Sequence, residues 1–141
     1  MRKVIVSTNV TLDGRVDNVR DWALPYDDDE FAKYHTDLLR NSDGLLLGRK
    51  TYEMFAAVWP SRSGESPVAG PINGMAKYVA STTHSLLEHD LIDEYQLLVY
   101  PVVLGKGRSL FKDGVERMAL ELVDSTVVPP GVAILTYQSQ L

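Results

Sequence analysis

The 141-residue chain contains no cysteine. Disulfides, thiolate nucleophiles and thiolate metal sites are therefore excluded, and a reducing cytoplasm is the natural compartment for such a sequence. Histidine is scarce, with three in all. His84 and His89 stand five apart, a spacing that suits neither face of a helix as a ligand pair, and His35 lies in another segment, so no metal site is expected. Long apolar runs are also missing. Nothing approaches the roughly 18 apolar residues of a membrane span, and after a brief apolar start the N-terminal MRKVIVSTNVTLDG is interrupted by Ser7, Thr8 and Asn9, as in a first strand rather than a signal peptide. Positive charge is in deficit, the formal net charge being −5. A phosphate backbone calls for a basic face, so nucleic acid is not an expected partner, and a site for an anionic ligand must be a local island of positive charge.

What is present describes a globular domain. With 45% apolar and 23% charged residues, residues 1–141 are expected to form one domain able to bury about two thirds of its unfolded surface. Val4 to Val6 read as a strand, and Asp13-Gly14 as a turn into a polar stretch that ends near Pro25. Asp27 with Glu30 resembles a capping box, after which Phe31, Tyr34, Leu38 and Leu39 line one face of a helix that ends at Asn41 and Ser42. Leu45 to Leu47 read as a strand buried on both faces. A second helix beyond Gly48 carries Met54, Phe55, Val58 and Trp59 on one stripe. Ser61 to Pro71 has the composition of a mobile flap. Lys77 to Ala80 form a third strand, Ser85 with Glu88 opens a short helix, and Gln96 to Leu104 read as a central strand with Pro101 at a bend. Met118 to Val123 and Val132 to Tyr137 flank Pro129-Pro130-Gly131 as a hairpin. This order predicts an α/β three-layer sandwich with a mixed, mostly parallel sheet and a C-terminal antiparallel hairpin.

The segment LLLGRKTYE, Leu45 to Glu53, carries the most chemistry. A strand that stops at Gly48 and passes into a helix presents unpaired backbone N–H groups and a positive dipole end to an anion. Arg49 and Lys50 add charge, and Thr51 adds a hydroxyl. Arg49, Lys77, Ser81 and Thr82 bring cations and hydroxyls to the ends of two strands, the combination a 2′-phosphate requires. Gly105-Lys106-Gly107-Arg108 has no helix after it, and so reads as a glycine turn rather than a phosphate loop.

Together with the TLDG turn at Thr11 to Gly14, KYVAST at Lys77 to Thr82 and LIDEYQLLVYPVVLGKGRSLF at Leu91 to Phe111, that segment resembles the dihydrofolate reductase-like family. The bacterial branch similar to the reductase domain of riboflavin biosynthesis is the nearer match. The resemblance spans nearly the whole chain. It implies an NADPH-dependent reductase acting on a small heteroaromatic or carbonyl substrate, in a cytoplasmic homodimer. It also implies that Gly48, Arg49, Lys50 and Thr51 face the cofactor phosphates, that Ser81 and Thr82 lie near the adenosine 2′-phosphate, and that backbone near Thr8 and Asn9 holds the nicotinamide. The TLDG turn, with Leu12, would border the substrate.

Hydride transfer leaves little for side chains beyond holding two rings face to face, yet a C=N or C=O acceptor still needs a proton. Asp13, Glu30 and Asp29 are the candidate donors, although turn chemistry accounts for Asp13 and helix capping for the other two. Trp22 and Tyr52 are candidate aromatic walls for a flat substrate, whereas Phe55 and Trp59 read as core. One departure from the family is large. Thr83 runs almost directly into His84-Ser85-Leu86-Leu87, where relatives place a further strand, a helix and a glycine-bearing central strand, so about 30 residues or more are absent. Loss of that strand should leave unpaired sheet edges and an open floor beneath a dinucleotide. A ligand-binding or dimerising module without hydride chemistry is the alternative that this departure raises.

Overall fold

The computed structural model describes residues 2–80 and 91–140. The chain divides into two compact units, one formed by the N-terminal residues up to Asp27 with the C-terminal part from Ser85, the other by Asp28–His84 between them.

The first unit is built on a four-stranded sheet of order β1-β4-β6-β5, in which β1 is Ile5–Thr11, β4 Glu94–Tyr100, β5 Leu120–Val128 and β6 Val132–Ser139. β1 runs parallel to β4, from Ile5 opposite Glu94 to Thr11 opposite Tyr100. β4 and β6 are antiparallel. β4 is therefore interior, as its continuous apolar run predicted, and Leu98 and Tyr100 are almost wholly buried. It ends at Tyr100 rather than Leu104, because Pro101 has no N–H to continue the ladder. β1 is longer than Val4 to Val6: its β-branched residues favour extended backbone past Ser7, and pairing with β4 carries the strand to Thr11. The predicted hairpin forms as β5–β6, with a bulge between Leu122 and Asp124 and a cis Pro129-Pro130 bond in its turn. The polar stretch before Pro25 hides an unforeseen five-residue helix, α1 (Val19–Ala23). Its Trp22 stands edge-on to Tyr100 with ring centroids 5.0 Å apart. One such apolar anchor is too few to show helical periodicity.

The second unit contains α2 (Asp29–Arg40), β2 (Gly44–Gly48), α3 (Arg49–Val58), α4 (Ala69–Gly74) and β3 (Ala76–Ala80). Asp28, not Asp27, caps α2, its carboxylate accepting from the Phe31 amide at 2.9 Å. Phe31 is buried, and α2 ends at Asn41 as expected. β2 and β3 pair in parallel as a two-stranded sheet. This corrects the reading of the three leucines: Leu47 is buried, but Leu46 is 51% exposed, and among the described residues β2 pairs with β3 alone. Ser61 to Pro71 is also less loop-like than its composition. A 3-10 turn occupies Pro60–Arg62, and α4 begins at Ala69 and fixes the segment by burying Ala69 and Ile72. The expected helix from Ser85 lies outside the described residues. No helix among those described is long and apolar enough to cross a membrane.

Candidate functional site

Parallel strands place their carboxyl ends on one edge of a sheet, where the following loops diverge and leave room for a ligand. Each unit has one such edge. In the second unit, Gly48 at the end of β2 lies opposite Ala80 at the end of β3. Gly48 is the N-cap of α3 and has no side chain to cap it, and among the described residues no side chain accepts from the first N–H groups of the helix. A Cβ at Gly48 would have no atom within 4 Å. Arg49, Lys50 and Thr51 follow on exposed positions. The Arg49 guanidinium is 3.6 Å from Glu53 one turn along, both side chains lying largely in solvent, and an exposed pair of this kind yields easily to a competing anion. Ser81 and Thr82, next in sequence after Ala80, lie outside the described residues. Lys77 does not join this edge. It stands opposite Leu45, three residues short of the strand end, and its ammonium donates to the Met75 carbonyl at 3.0 Å, back toward the start of β3. The expectation that Lys77 serves the strand ends is corrected: β3 begins at Ala76, so Lys77 is its second residue.

In the first unit, the loops that follow β1 and β4 are fastened to one another. The Asp13 carboxylate accepts from the Thr11 hydroxyl, from the Gly105 amide at 2.8 Å and from the Leu104 amide at 3.2 Å. These bonds favour the ionised form and hold the Asp13 pKa down at about 2, against an ordinary 3.8. Arg15 donates to the Gly107 carbonyl at 2.8 Å and to the Ser109 hydroxyl at 3.0 Å. Asp17 accepts from the Arg108 amide and pairs with the Arg108 guanidinium at 3.2 Å. Gly105 and Gly107 adopt φ of 77° and 114°, the conformations that a glycine turn requires. Sequence reasoning missed this three-residue latch, because Asp13, Arg15 and Asp17 alternate on one loop while their partners lie about 90 residues on.

Beside the latch is a cavity of about 380 Å³ with Trp22, Leu104 and Asp21 in its wall and Lys106 at its rim. Trp22 is buried and donates from Nε1 to the Asp17 carbonyl at 2.8 Å, so the ring is fixed rather than free to swing. Asn9 accepts from the Tyr100 hydroxyl at 3.3 Å. Burial, and then the Asp27 charge, push the Tyr100 phenol well above its ordinary range. Thr8 and Asn9 pair with Leu97 and Leu98, and among the described residues β1 is an edge strand of this sheet, with no strand paired on its other side. Leu12 is 64% exposed just past the strand. The remaining expected residues belong to the second unit. Asp29 and Glu30 lie exposed in the first turn of α2. Tyr52 is 39% exposed on α3. No group of three or more metal-ligating side chains occurs among the described residues.

The likeness to known proteins follows the same lines. A family model for the RibD C-terminal domain matches residues 80–134. An uncharacterised protein of Bacillus subtilis is 25% identical over 96% of this chain and 94% of its own length. Among solved structures, a protein assigned to riboflavin biosynthesis from Shewanella sp. PV-4 superposes with a TM-score of 0.69 at 22% identity, covering 99% of this chain and all of that one. A pyrimidine reductase-like protein from Corynebacterium diphtheriae does so with a TM-score of 0.66 at 10% identity, covering 99% and 92%. The fold is thus the three-layer α/β sandwich of RibD and dihydrofolate reductase-like proteins, its mixed sheet flanked by helices and closed by the C-terminal antiparallel hairpin. The alignment with the Bacillus protein runs over 181 positions. Set against a chain of 141 residues, this leaves at least 40 positions opposite gaps in this chain, in keeping with the expected loss of a segment. Among the described residues β1 pairs only with β4, and β2 only with β3, which are the open edges that such a loss should leave.

Proposed function

We propose that this protein is an NADPH-dependent reductase acting on a small heteroaromatic or carbonyl substrate. The supporting observation is the start of α3, where Gly48 leaves the helix uncapped beside the end of β3 and Arg49, Lys50 and Thr51 follow in the open. Those groups fit the phosphates of a dinucleotide: backbone donors and the helix dipole take one anion, and a guanidinium takes another. The free side of β1 at Thr8 and Asn9 suits a carboxamide held by backbone. When bound, NADPH supplies the hydride. In this reading the chain's own residues bind and orient the reactants. Leu12, Trp22 and Tyr52 serve the substrate, and Ser81 and Thr82 serve the 2′-phosphate site that the family resemblance implies.

Asp13 is assigned here as the anchor of the loop pair, since its carboxylate is occupied by the Thr11 hydroxyl and the Leu104 and Gly105 amides, which hold it in the ionised form. Glu30 and Asp29, both exposed in the first turn of α2, are left as the candidate donors, their carboxylates free of hydrogen bonds and ion pairs to described residues. The protein is proposed to work in the cytoplasm as a homodimer with small-molecule partners.

A second reading is favoured by the open sheet edges and the gapped alignment. In it the chain keeps the fold as a ligand-binding or dimerising module without hydride chemistry, because the strand that would underlie the dinucleotide is missing. Thermal denaturation of the intact chain with NADPH and with NADH separates the two. A phosphate-reading site gives a larger Tm rise with NADPH, corresponding to about 2.7 kcal/mol at a hundredfold excess over Kd, and Arg49→Ala abolishes the preference. Equal shifts with the two cofactors in wild type would sink the phosphate assignment, and no shift with either leaves the module.

A further inference from the structure

A second cavity lies wholly within the unit formed by residues 28–84. It measures about 210 Å³, and its walls include Tyr52, Phe55 and Trp59 of the α3 segment, Ile72 and Asn73 of α4, and Lys77 of β3. The three aromatic residues recur at the spacing of one helical face. Phe55 and Trp59 meet edge to face, with centroids 6.1 Å apart. Asn73 donates to the Trp59 carbonyl at 2.9 Å and so fixes the floor. Phe55 and Trp59, expected to be core, are each only half-buried and line this cavity.

Lys77 decides what the cavity suits. The residue is half-buried, and its ammonium spends one donor on the Met75 carbonyl. Among the described residues no carboxylate pairs with it. An ammonium has three donors, and a cation held against apolar walls without a counter-ion attracts an anion more strongly than one in open solvent. The volume admits a single ring. Lys77 lies at the start of β3, the opposite end from Gly48 and Ala80, and the Trp59 end of the cleft is roughly 15 Å along α3 from Gly48 by helical rise. The Trp59 and Lys77 end of the cleft is therefore separate from the start of α3, while Tyr52 stands between the two.

We propose that this cleft binds a small planar aromatic carboxylate, with the ring against Phe55 and Trp59 and the carboxylate on Lys77. Ligand-detected NMR titration of the intact chain tests it, with benzoate as the probe and benzyl alcohol and cyclohexanecarboxylate as the neutral and non-planar comparators. Benzoate should bind saturably and at least tenfold tighter than either comparator. Lys77→Met should bring benzoate to the level of benzyl alcohol while leaving benzyl alcohol unchanged. Trp59→Leu should weaken both, and Tyr52→Ala, at an exposed position, serves where the Trp59 variant does not fold. Equal binding of benzoate and benzyl alcohol, or a benzoate preference that survives Lys77→Met, overturns the proposal. No cofactor is present in the titration, so its failure leaves the NADPH experiment untouched, and the reverse also holds.

Discussion

Ionisation of Asp13 links the stability of the first unit to pH. Its folded pKa, about 2, lies below the ordinary 3.8, so on acidification the unfolded chain takes up the proton first. The contribution is complete well above pH 4 and is lost as the pH falls toward 2. Asp13→Asn should therefore lower the urea midpoint at pH 7, and the gap to wild type should narrow on approach to pH 2.5. A gap that is constant with pH would mean that the charge of Asp13 does not hold the loop. Trp22 is a second residue-scale case. Trp22→Phe removes the indole N–H and strands the Asp17 carbonyl, a loss of about 1 to 3 kcal/mol. Trp22→Ala also opens a cavity against Tyr100 and should cost about 3 to 5 kcal/mol. Chemical denaturation monitored by far-UV circular dichroism reads both.

At the level of elements, the start of α3 opposes stability and binding. Gly48 has φ −69° and ψ 160°, which any residue adopts, and free space where a Cβ would stand. Gly48→Asp should cap α3 and favour its dipole, raising stability by about 0.3 to 1 kcal/mol, and it should weaken NADPH binding by placing a carboxylate where a phosphate would sit. A higher Tm together with tighter NADPH binding would show that the cofactor does not approach this helix. The loop pair offers the matching test in the first unit. A Cβ at Gly107 would come 3.1 Å from Asp17 Oδ2 with φ at 114°. Gly107→Ala should therefore lose stability through backbone strain and displacement of Asp17 from Arg108, read as a lowered Tm that Asp17→Ala does not lower much further.

For the whole molecule, the separation of the chain into two units bears on cooperativity. The unit of residues 28–84 rests on one two-stranded sheet, with Leu46, Tyr78 and Val79 exposed, and a pair of strands is marginal without further support. It is expected to unfold together with the first unit, giving one calorimetric transition with equal calorimetric and van't Hoff enthalpies over residues 1–141. Two resolved transitions would make the units independent domains. Exposed strand edges also favour association between chains. Sedimentation velocity should show the proposed dimer, and a monomer at all concentrations would remove it from the functional reading.

Local pattern was enough for the elements whose signal lies within a few residues: α2 with its periodic face, β3, the β5–β6 hairpin around Pro129-Pro130-Gly131, and the strand-to-helix passage at Gly48. Apolar periodicity and turn chemistry act over one or two helical turns, so a single sequence displays them. Tertiary structure decided what depends on distant partners. It extended β1 to Thr11 by pairing with β4 and left Leu46 of β2 exposed. It brought the Leu104 and Gly105 amides to the Asp13 carboxylate, and aimed Lys77 away from the strand ends. The physical reason is common to all four: burial, pairing and pKa are set by atoms brought together across tens of residues, and a side chain's own neighbours in sequence do not reveal them.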